Sequence, residues 1–372
     1  MPCHRFGGKG ARGMKIIQVA HALHPTDAAS RQLLHMDEIL QELGYETAIY
    51  AHRADERLAD RVGRMGDFEA EPGNIVIYHM TTGTSFNRWV WNYPRKIVLF
   101  YHNITPARYF FGNAWGSWLK CLRGRHDLKK IAKNTFFAWG ASEYSRRELE
   151  AVGVERTAVL PIVVEPETYT GRGEDESVLR YQDGRLNLLV VGRGVPHKKQ
   201  DEAIEAAAWY RDNISKDIRL VIIGNIKPSY EKKLHALVRK RGMEGYVLFA
   251  GQISDEALCT WYRIADGLLC LSEHEGFCVP LVEAMIFGLP IFAKPAAAVP
   301  ETLGGAGVLL SDSSPAAVAM AVRQTLADEL ALARLKKGRA ERLSAFSFER
   351  TKAKLDEDMR QIVRMWEKER QA

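Results

Sequence analysis

Short apolar runs alternate along the chain with amphipathic stretches. KIIQVA (15–20) is near-continuously apolar and predicts a buried strand. An amphipathic segment follows from about Ala28 to Leu43, and Gly44 supplies a helix stop. Further strands are expected at ETAIY (46–50), NIVIY (74–78), KIVLFY (96–101) and TFFAW (135–139). Runs of this kind suit parallel strands covered on both faces. The polar, charged stretch EPETYTGRGEDES (165–177) reads as a linker. Alternation then restarts, with strands expected at 185–192, 219–224, 246–251 and 267–272. Helices are expected between them, near 200–211, 229–241 and 255–264.

Two such blocks predict an α/β protein with two doubly wound, Rossmann-like domains, at 14–165 and 178–345. Ligands in such sheets bind beyond the carboxyl ends of the strands, so two facing sheets would make a cleft. The segment 346–370 is a charged amphipathic helix able to pack back on the first domain. Residues 1–13 lack an apolar signal core and read as a disordered leader. GGKGARG within them is not a P-loop, because no strand precedes it and no Lys-Ser/Thr follows.

Composition narrows the class. With 46% hydrophobic and 26% charged residues, both halves of the 372-residue chain can bury a core. No run approaches the ~20 apolar residues of a membrane span. The cysteines, Cys3, Cys121, Cys259, Cys270 and Cys278, are odd in number and show no C-x-x-C spacing. That usage fits a reduced, cytoplasmic protein without a disulfide frame or zinc site, so no metal site is expected. A net charge of +6 suits phosphate-bearing ligands, anionic membranes or nucleic acid alike, but no nucleic-acid motif is present. The first strand lacks the G-x-G-x-x-G of a dinucleotide-dependent oxidoreductase.

Chemistry concentrates in LLCLSEHEGFCVPLVEAMIFGLPIFA (268–293). A strand ends near Ser272, a loop carries Glu275, and Pro280 suits the first turn of a helix that Gly288 ends. The helix N-terminus would offer N–H groups and a partial positive charge to an anion. Glu275 and Glu283 would flank it. A second loop, GRGVPHKK (192–199), places Arg193 and Lys198 after a strand, where two cations can offset a diphosphate.

Glu275-Gly-Phe, Pro280, Glu283-Ala-Met and Gly288-Leu-Pro resemble the signature of glycosyltransferase family 4. The resemblance implies the GT-B architecture, a retaining hexosyl transfer, and a nucleotide-diphosphate sugar (GDP- or UDP-linked) as donor substrate, without another cofactor. It places Glu275 near the donor sugar and Glu283 on the ribose hydroxyls. The backbone amides of Gly276, Phe277, Cys278 and Val279 would hold the sugar and diphosphate, and Arg193 and Lys198 would contact the diphosphate. FAGQISDEAL (249–258) is similar to the loop beside the nucleobase, which puts Ile253 there. His102, in LFYHNITP (99–106), matches a histidine that contacts the donor sugar. YHNITP also resembles bacterial mannosyl- and related transferases of surface polysaccharides, which implies a glycan or lipid-linked acceptor. The chain departs from the family where a Gly-Gly pair often follows the first strand: here it reads HALHPTDAAS (21–30). The alternatives are a sugar-nucleotide epimerase or hydrolase on the same fold, or a non-catalytic nucleotide-sugar binding subunit.

One stretch stands apart. Residues 107–133 carry Arg108, Lys120, Arg123, Arg125, Lys129, Lys130 and Lys133 against Asp127, interleaved with Tyr109, Phe110, Phe111, Trp115 and Trp118. The pattern fits three things: an interfacial surface against anionic lipid at the inner face of the membrane, a pocket for a lipid-diphosphate acceptor, or core aromatics under solvated cations.

Overall fold

The computed structural model describes residues 14–25, 27–112 and 114–371, so the leader expected at 1–13 lies outside the described residues. The chain divides into two compact units. One takes in the described residues up to Ile104, Lys120–Val163 and the chain from Thr351; the other takes in Thr105–Leu119 and Val164–Arg350.

The first unit is built on a seven-stranded parallel sheet. Its strands are β1 (Lys15–Leu23), β2 (Glu46–Ala54), β3 (Gly63–Arg64), β4 (Ile75–Met80), β5 (Ile97–Tyr101), β6 (Thr135–Gly140) and β7 (Thr157–Val159). The order is β3-β2-β1-β4-β5-β6-β7. Every residue of β4, β5 and β6 is buried, which is why these strands read as unbroken apolar runs. The helix Trp115–Ala132 can approach the chain after β4 because Gly124 and Gly83 meet: a Cβ on Gly124 would lie 2.6 Å from the Gly83 nitrogen. The last helix, Phe348–Gln371, buries Leu355, Met359, Ile362 and Trp366 at helical spacing. Trp366 stacks on Phe136, and Asp358 accepts from the Trp139 indole at 2.8 Å.

The second unit carries a six-stranded parallel sheet: β8 (Leu186–Val191), β9 (Ile218–Ile223), β10 (Val247–Gly251), β11 (Gly267–Cys270), β12 (Ile291–Ala293) and β13 (Val308–Leu309), in the order β10-β9-β8-β11-β12-β13. The sheet order reverses between β8 and β11, as it does between β1 and β4 in the first unit, and loops at such points converge.

The stretch expected to be a linker is part of this unit. It forms the helices Pro166–Thr170 and Glu176–Leu179, in which Tyr169 and Val178 are buried. Arg172 pairs with Asp255 at 3.1 Å and with Glu256 at 3.0 Å. A polar segment with two apolar anchors looks like a linker in sequence, because its polar majority faces water. The short strands β3, β7, β12 and β13 carry too few residues for a periodicity to register.

Candidate active site

β8 and β11 are hydrogen-bonded neighbours, so the loops leaving them, Gly192–Lys199 and Leu271–Cys278, rise side by side. The Glu273 amide donates to the His197 carbonyl at 2.8 Å and ties the two loops together. Close approach begins at their base. Gly224, with φ +131°, sits so near that a Cβ there would lie 2.1 Å from the Gly192 carbonyl oxygen. The second loop feeds the helix Val279–Ile286, with Pro280 in its first turn and no side-chain cap hydrogen bond from Cys278. The helix closes in a Schellman arrangement. Gly288 (φ +71°) donates to Met285 and Leu289 donates to Ala284, at 3.1 and 2.9 Å.

The tied loops bring Lys198 and Glu275 together. Lys198 Nζ donates to Glu275 Oε1 at 2.5 Å, with Glu275 7% exposed. Burial alone would raise the Glu275 carboxyl, but the Lys198 ammonium and hydrogen bonds from Lys198 and Ser272 hold it below its ordinary value. Burial likewise works against the Lys198 ammonium, and the Glu275 carboxylate outweighs it, so Lys198 stays protonated. Arg193 projects from the same loop into solvent and forms no ion pair among the described residues. Lys199, held at φ +57°, pairs with Glu202 and Glu273 at 3.0 and 3.2 Å. Of the loop's cations, Arg193 therefore retains uncompensated charge, Lys198 shares its charge with one carboxylate, and Lys199 is offset twice.

Glu283 is differently placed from a carboxylate awaiting hydroxyl groups from solvent. It is 4% exposed. Its Oε1 accepts from the Tyr169 hydroxyl at 3.0 Å and its Oε2 from the Tyr262 hydroxyl at 2.9 Å. Tyr169 comes from the supposed linker and Tyr262 from the helix Asp255–Ile264. The two tyrosines take one hydrogen bond at each carboxylate oxygen of Glu283.

Among the other residues implied by the resemblance, Phe277 is buried edge-on against Phe346, and its carbonyl accepts from Thr302 Oγ1 at 2.6 Å. Gly276 and Val279 lie in the loop and the first helical turn. Ile253 follows β10 and packs half-buried on the apolar cluster of Ala257 and Met285. Cys278 adopts φ +75°, ψ +69°, a conformation usually left to glycine. The roof of this region comes from Thr105–Leu119, far from it in sequence and marked there only by aromatic and basic residues. The Tyr109 hydroxyl donates to the Glu273 carbonyl at 3.1 Å, and its ring lies 5.6 Å from that of His197. His197 is 3% exposed, and burial, helped by the Lys198 charge, lowers its pKa to about 3.

The cysteines also converge here. Cys270 ends β11, Cys278 precedes the helix, and their sulfurs are 3.7 Å apart. The two thiols share a hydrogen bond, which lowers the Cys270 thiol pKa and raises that of Cys278 well above its ordinary value. Donor atoms of Cys270, Glu275 and Cys278 all lie within 4.8 Å of one another. A seven-residue gap hides this pair from any search for closely spaced cysteines.

His102 belongs to the first unit. It follows β5 and joins a chain across three adjacent strands: its Nε2 meets His79 Nδ1 at 3.1 Å, and His79 Nε2 meets Gln18 Oε1 at 2.9 Å. Burial lowers the His102 pKa to about 3, and its Nδ1 has no hydrogen-bond partner. His102 is thus a neutral imidazole with one nitrogen fixed and the other unengaged.

The stretch 107–133 divides between the readings offered above. Phe110 is buried and Trp118 half-buried, but Phe111 and Trp115 are 61% and 56% exposed and Leu119 is 58% exposed. Phe111, Trp115 and Trp118 form one edge-to-face cluster, with ring centroids 5.2 to 6.0 Å apart. Arg123, Lys129, Lys130 and Lys133 are exposed, whereas Arg125 is engaged with Glu148 at 2.6 Å and the Ile104 carbonyl at 2.9 Å. No described helix is long and apolar enough to cross a membrane.

Residues 172–342, inside the second unit, match the family model described as glycosyl transferases group 1. An MMP alpha-(1->4)-mannosyltransferase of Mycolicibacterium hassiacum is 28% identical over 171 residues, 45% of this chain and 38% of that protein. A GDP-mannose:cellobiosyl-diphosphopolyprenol alpha-mannosyltransferase of Xanthomonas campestris is 32% identical over 166 residues, 44% and 41% of the two chains. The chain thus spans less than half the length of these curated relatives. Among solved structures, the Anabaena protein HepE in complex with UDP superposes with a TM-score of 0.72 over 94% of this chain and all of its own, at 16% identity. The two parallel α/β sheets thus have the GT-B fold.

Proposed function

We propose that this chain, whose second unit is a group 1 glycosyltransferase domain of the family-4 kind, transfers a hexose-type sugar from a GDP- or UDP-linked donor. The acceptor is a glycan or a lipid-linked saccharide, and the anomeric configuration is retained. The observation that carries this reading is the buried Lys198–Glu275 pair, set beside the uncapped start of the helix Val279–Ile286. The relative named for GDP-mannose and the fold neighbour bound to UDP support a nucleotide-sugar donor.

The residues divide the work by charge. The donor's diphosphate lies against the helix N-terminus, Lys198 and Arg193, where preorganised positive charge stabilises the departing nucleoside diphosphate. These groups serve in place of a divalent cation, so transfer proceeds in EDTA. Glu275, already ionised, binds hydroxyls of the donor sugar and keeps Lys198 in position. Glu283 is the residue that the family resemblance assigns to the ribose hydroxyls. The acceptor attacks on the face the leaving group vacates. His102 is the residue that the family resemblance assigns to the donor sugar. The exposed cluster of Phe111, Trp115 and Trp118, with the cations of its helix, rests on anionic lipid and brings a lipid-linked acceptor within reach.

The test is calorimetry of the full chain with UDP-, GDP-, ADP- and dTDP-sugars, followed by transfer assays with and without EDTA. Binding of one donor class and transfer that survives chelation are expected. Release of free sugar at the same rate with and without acceptor would indicate a hydrolase. Failure of every donor to bind would sink the reading.

A further inference from the structure

We propose that Cys270, Cys278 and Glu275 form an inhibitory site for one thiophilic divalent cation of the zinc class. The inference rests on the proposed function only in calling the site inhibitory. The sulfurs are 3.7 Å apart. Two thiolates on a tetrahedral zinc, each at about 2.3 Å, stand about 3.8 Å from one another. The pair is therefore already spaced as metal ligands, whereas a disulfide would bring the sulfurs to about 2.0 Å. The third donor is a carboxylate oxygen of Glu275, within 4.8 Å of both sulfurs, and all three residues are buried.

Two further observations point to an occupant. A cavity of about 10 Å³, lined by Lys198, Cys270, Ser272 and Cys278, opens beside the sulfurs. That is room for about one water or ion. Ser272 Oγ, 3.9 Å from Cys270 Sγ, is the nearest oxygen for the fourth position. The backbone at Cys278 also favours glycine, so the cysteine side chain sits where its conformation is costly. Two sulfurs select zinc or cadmium over magnesium or calcium, which prefer oxygen donors.

The cation forms two metal–sulfur bonds and one metal–oxygen bond, and the two thiols release two protons to solvent. Glu275 then spends an oxygen on the metal that Lys198 now holds. The loop from β11 is pinned to its own strand, and the donor loses both the Glu275 carboxylate and the present place of Lys198. Zinc thereby competes with the donor.

The experiment uses the full chain, reduced by a non-chelating phosphine and freed of metal. Cadmium is titrated while the thiolate-to-cadmium absorption is followed, and zinc is titrated with proton release measured. One cation per chain and about two protons are expected. The absorption should vanish in Cys270→Ala and fall sharply in Cys278→Ser, each checked for an unchanged thermal melt. Zinc should weaken UDP or GDP binding at least tenfold in the wild type and leave it unchanged in Cys270→Ala. Cadmium absorption that persists in both variants would assign it to other cysteines and overturn the site. Absorption lost in the variants with no effect of zinc on nucleotide affinity would overturn the inhibitory role. If no nucleotide binds at all, the proposed function falls, while the cadmium titration still decides the metal site.

Discussion

Replacing Glu283 with alanine would strip the Tyr169 and Tyr262 hydroxyls of the carboxylate they share. Both hydrogen bonds are buried, at 3.0 and 2.9 Å, and the glutamate is 4% exposed. Leaving a buried hydroxyl without its acceptor costs about 1–3 kcal/mol, so the two together place the loss at roughly 2–6 kcal/mol. For a unit of this size that lowers Tm by on the order of 10 °C. Glu283→Gln keeps the shape and one carbonyl acceptor, and its Tm should fall by about half as much. Tyr262→Phe removes one donor and leaves the carboxylate with one hydrogen bond fewer, at a cost of about 1.5–3 kcal/mol. The decisive measurement is a double-mutant cycle by urea unfolding. Glu283→Ala should cost less in the Tyr262→Phe background than in the wild type, by more than about 0.5 kcal/mol. Additive losses, or a wild-type melt for Glu283→Ala, would refute the view that this glutamate anchors the fold as well as the ribose. A donor-binding loss in Glu283→Gln beyond its loss of stability isolates the second role.

Arg193→Ala should weaken binding of a nucleoside diphosphate more than of a monophosphate, by roughly 1.5–3 kcal/mol for a lost charge-assisted contact. Equal losses in calorimetry would place Arg193 away from the outer phosphate. His102 and His197 have pKa values of about 3 in the folded chain, below the ordinary value of 6.5. The unfolded chain therefore binds more protons, and stability is lost as pH falls below about 6.5, by up to about 1.4 kcal/mol per pH unit for each such histidine. Glu275, whose carboxyl is held below its ordinary value, acts in the same direction at lower pH. Urea unfolding at pH 7, 6 and 5 should show the decline, and a flat profile would contradict the burial of these rings. Replacing Phe111, Trp115 and Leu119 with Ser should abolish co-sedimentation with anionic liposomes and leave nucleotide affinity intact. Replacing Arg123, Lys129 and Lys130 should weaken co-sedimentation in a salt-sensitive way. Wild-type protein that ignores such liposomes at low salt would end the membrane reading.

Periodicity alone located the long strands, because a strand buried on both faces must be apolar along its whole length. It located the helices Ala28–Glu42, Gln200–Asn213, Pro228–Lys240, Asp255–Ile264 and Phe348–Gln371 but not Trp115–Ala132, Glu143–Ala151, Pro315–Ala327 or Glu329–Leu343. Pro280 and Gly288 marked the helix beside the site, since proline suits a first turn and a left-handed residue a helix end. The carboxylates and cations of the two loops were likewise legible, because each loop's chemistry is written within a few consecutive residues. What those groups touch was not legible. Lys198 meets Glu275 only because β8 and β11, far apart in the chain, are neighbours in the sheet. Glu283 is held by Tyr169, from a segment whose polarity masked a buried anchor, and by Tyr262, from another helix. Tyr109 reaches His197 and Glu273 from a stretch that in sequence looked only basic and aromatic. Cys270 and Cys278 face each other because one ends a strand and the other turns the chain into the next helix. Sequence carries residue type and local period; which charges neutralise each other depends on strand order, and that is settled only when the sheet assembles.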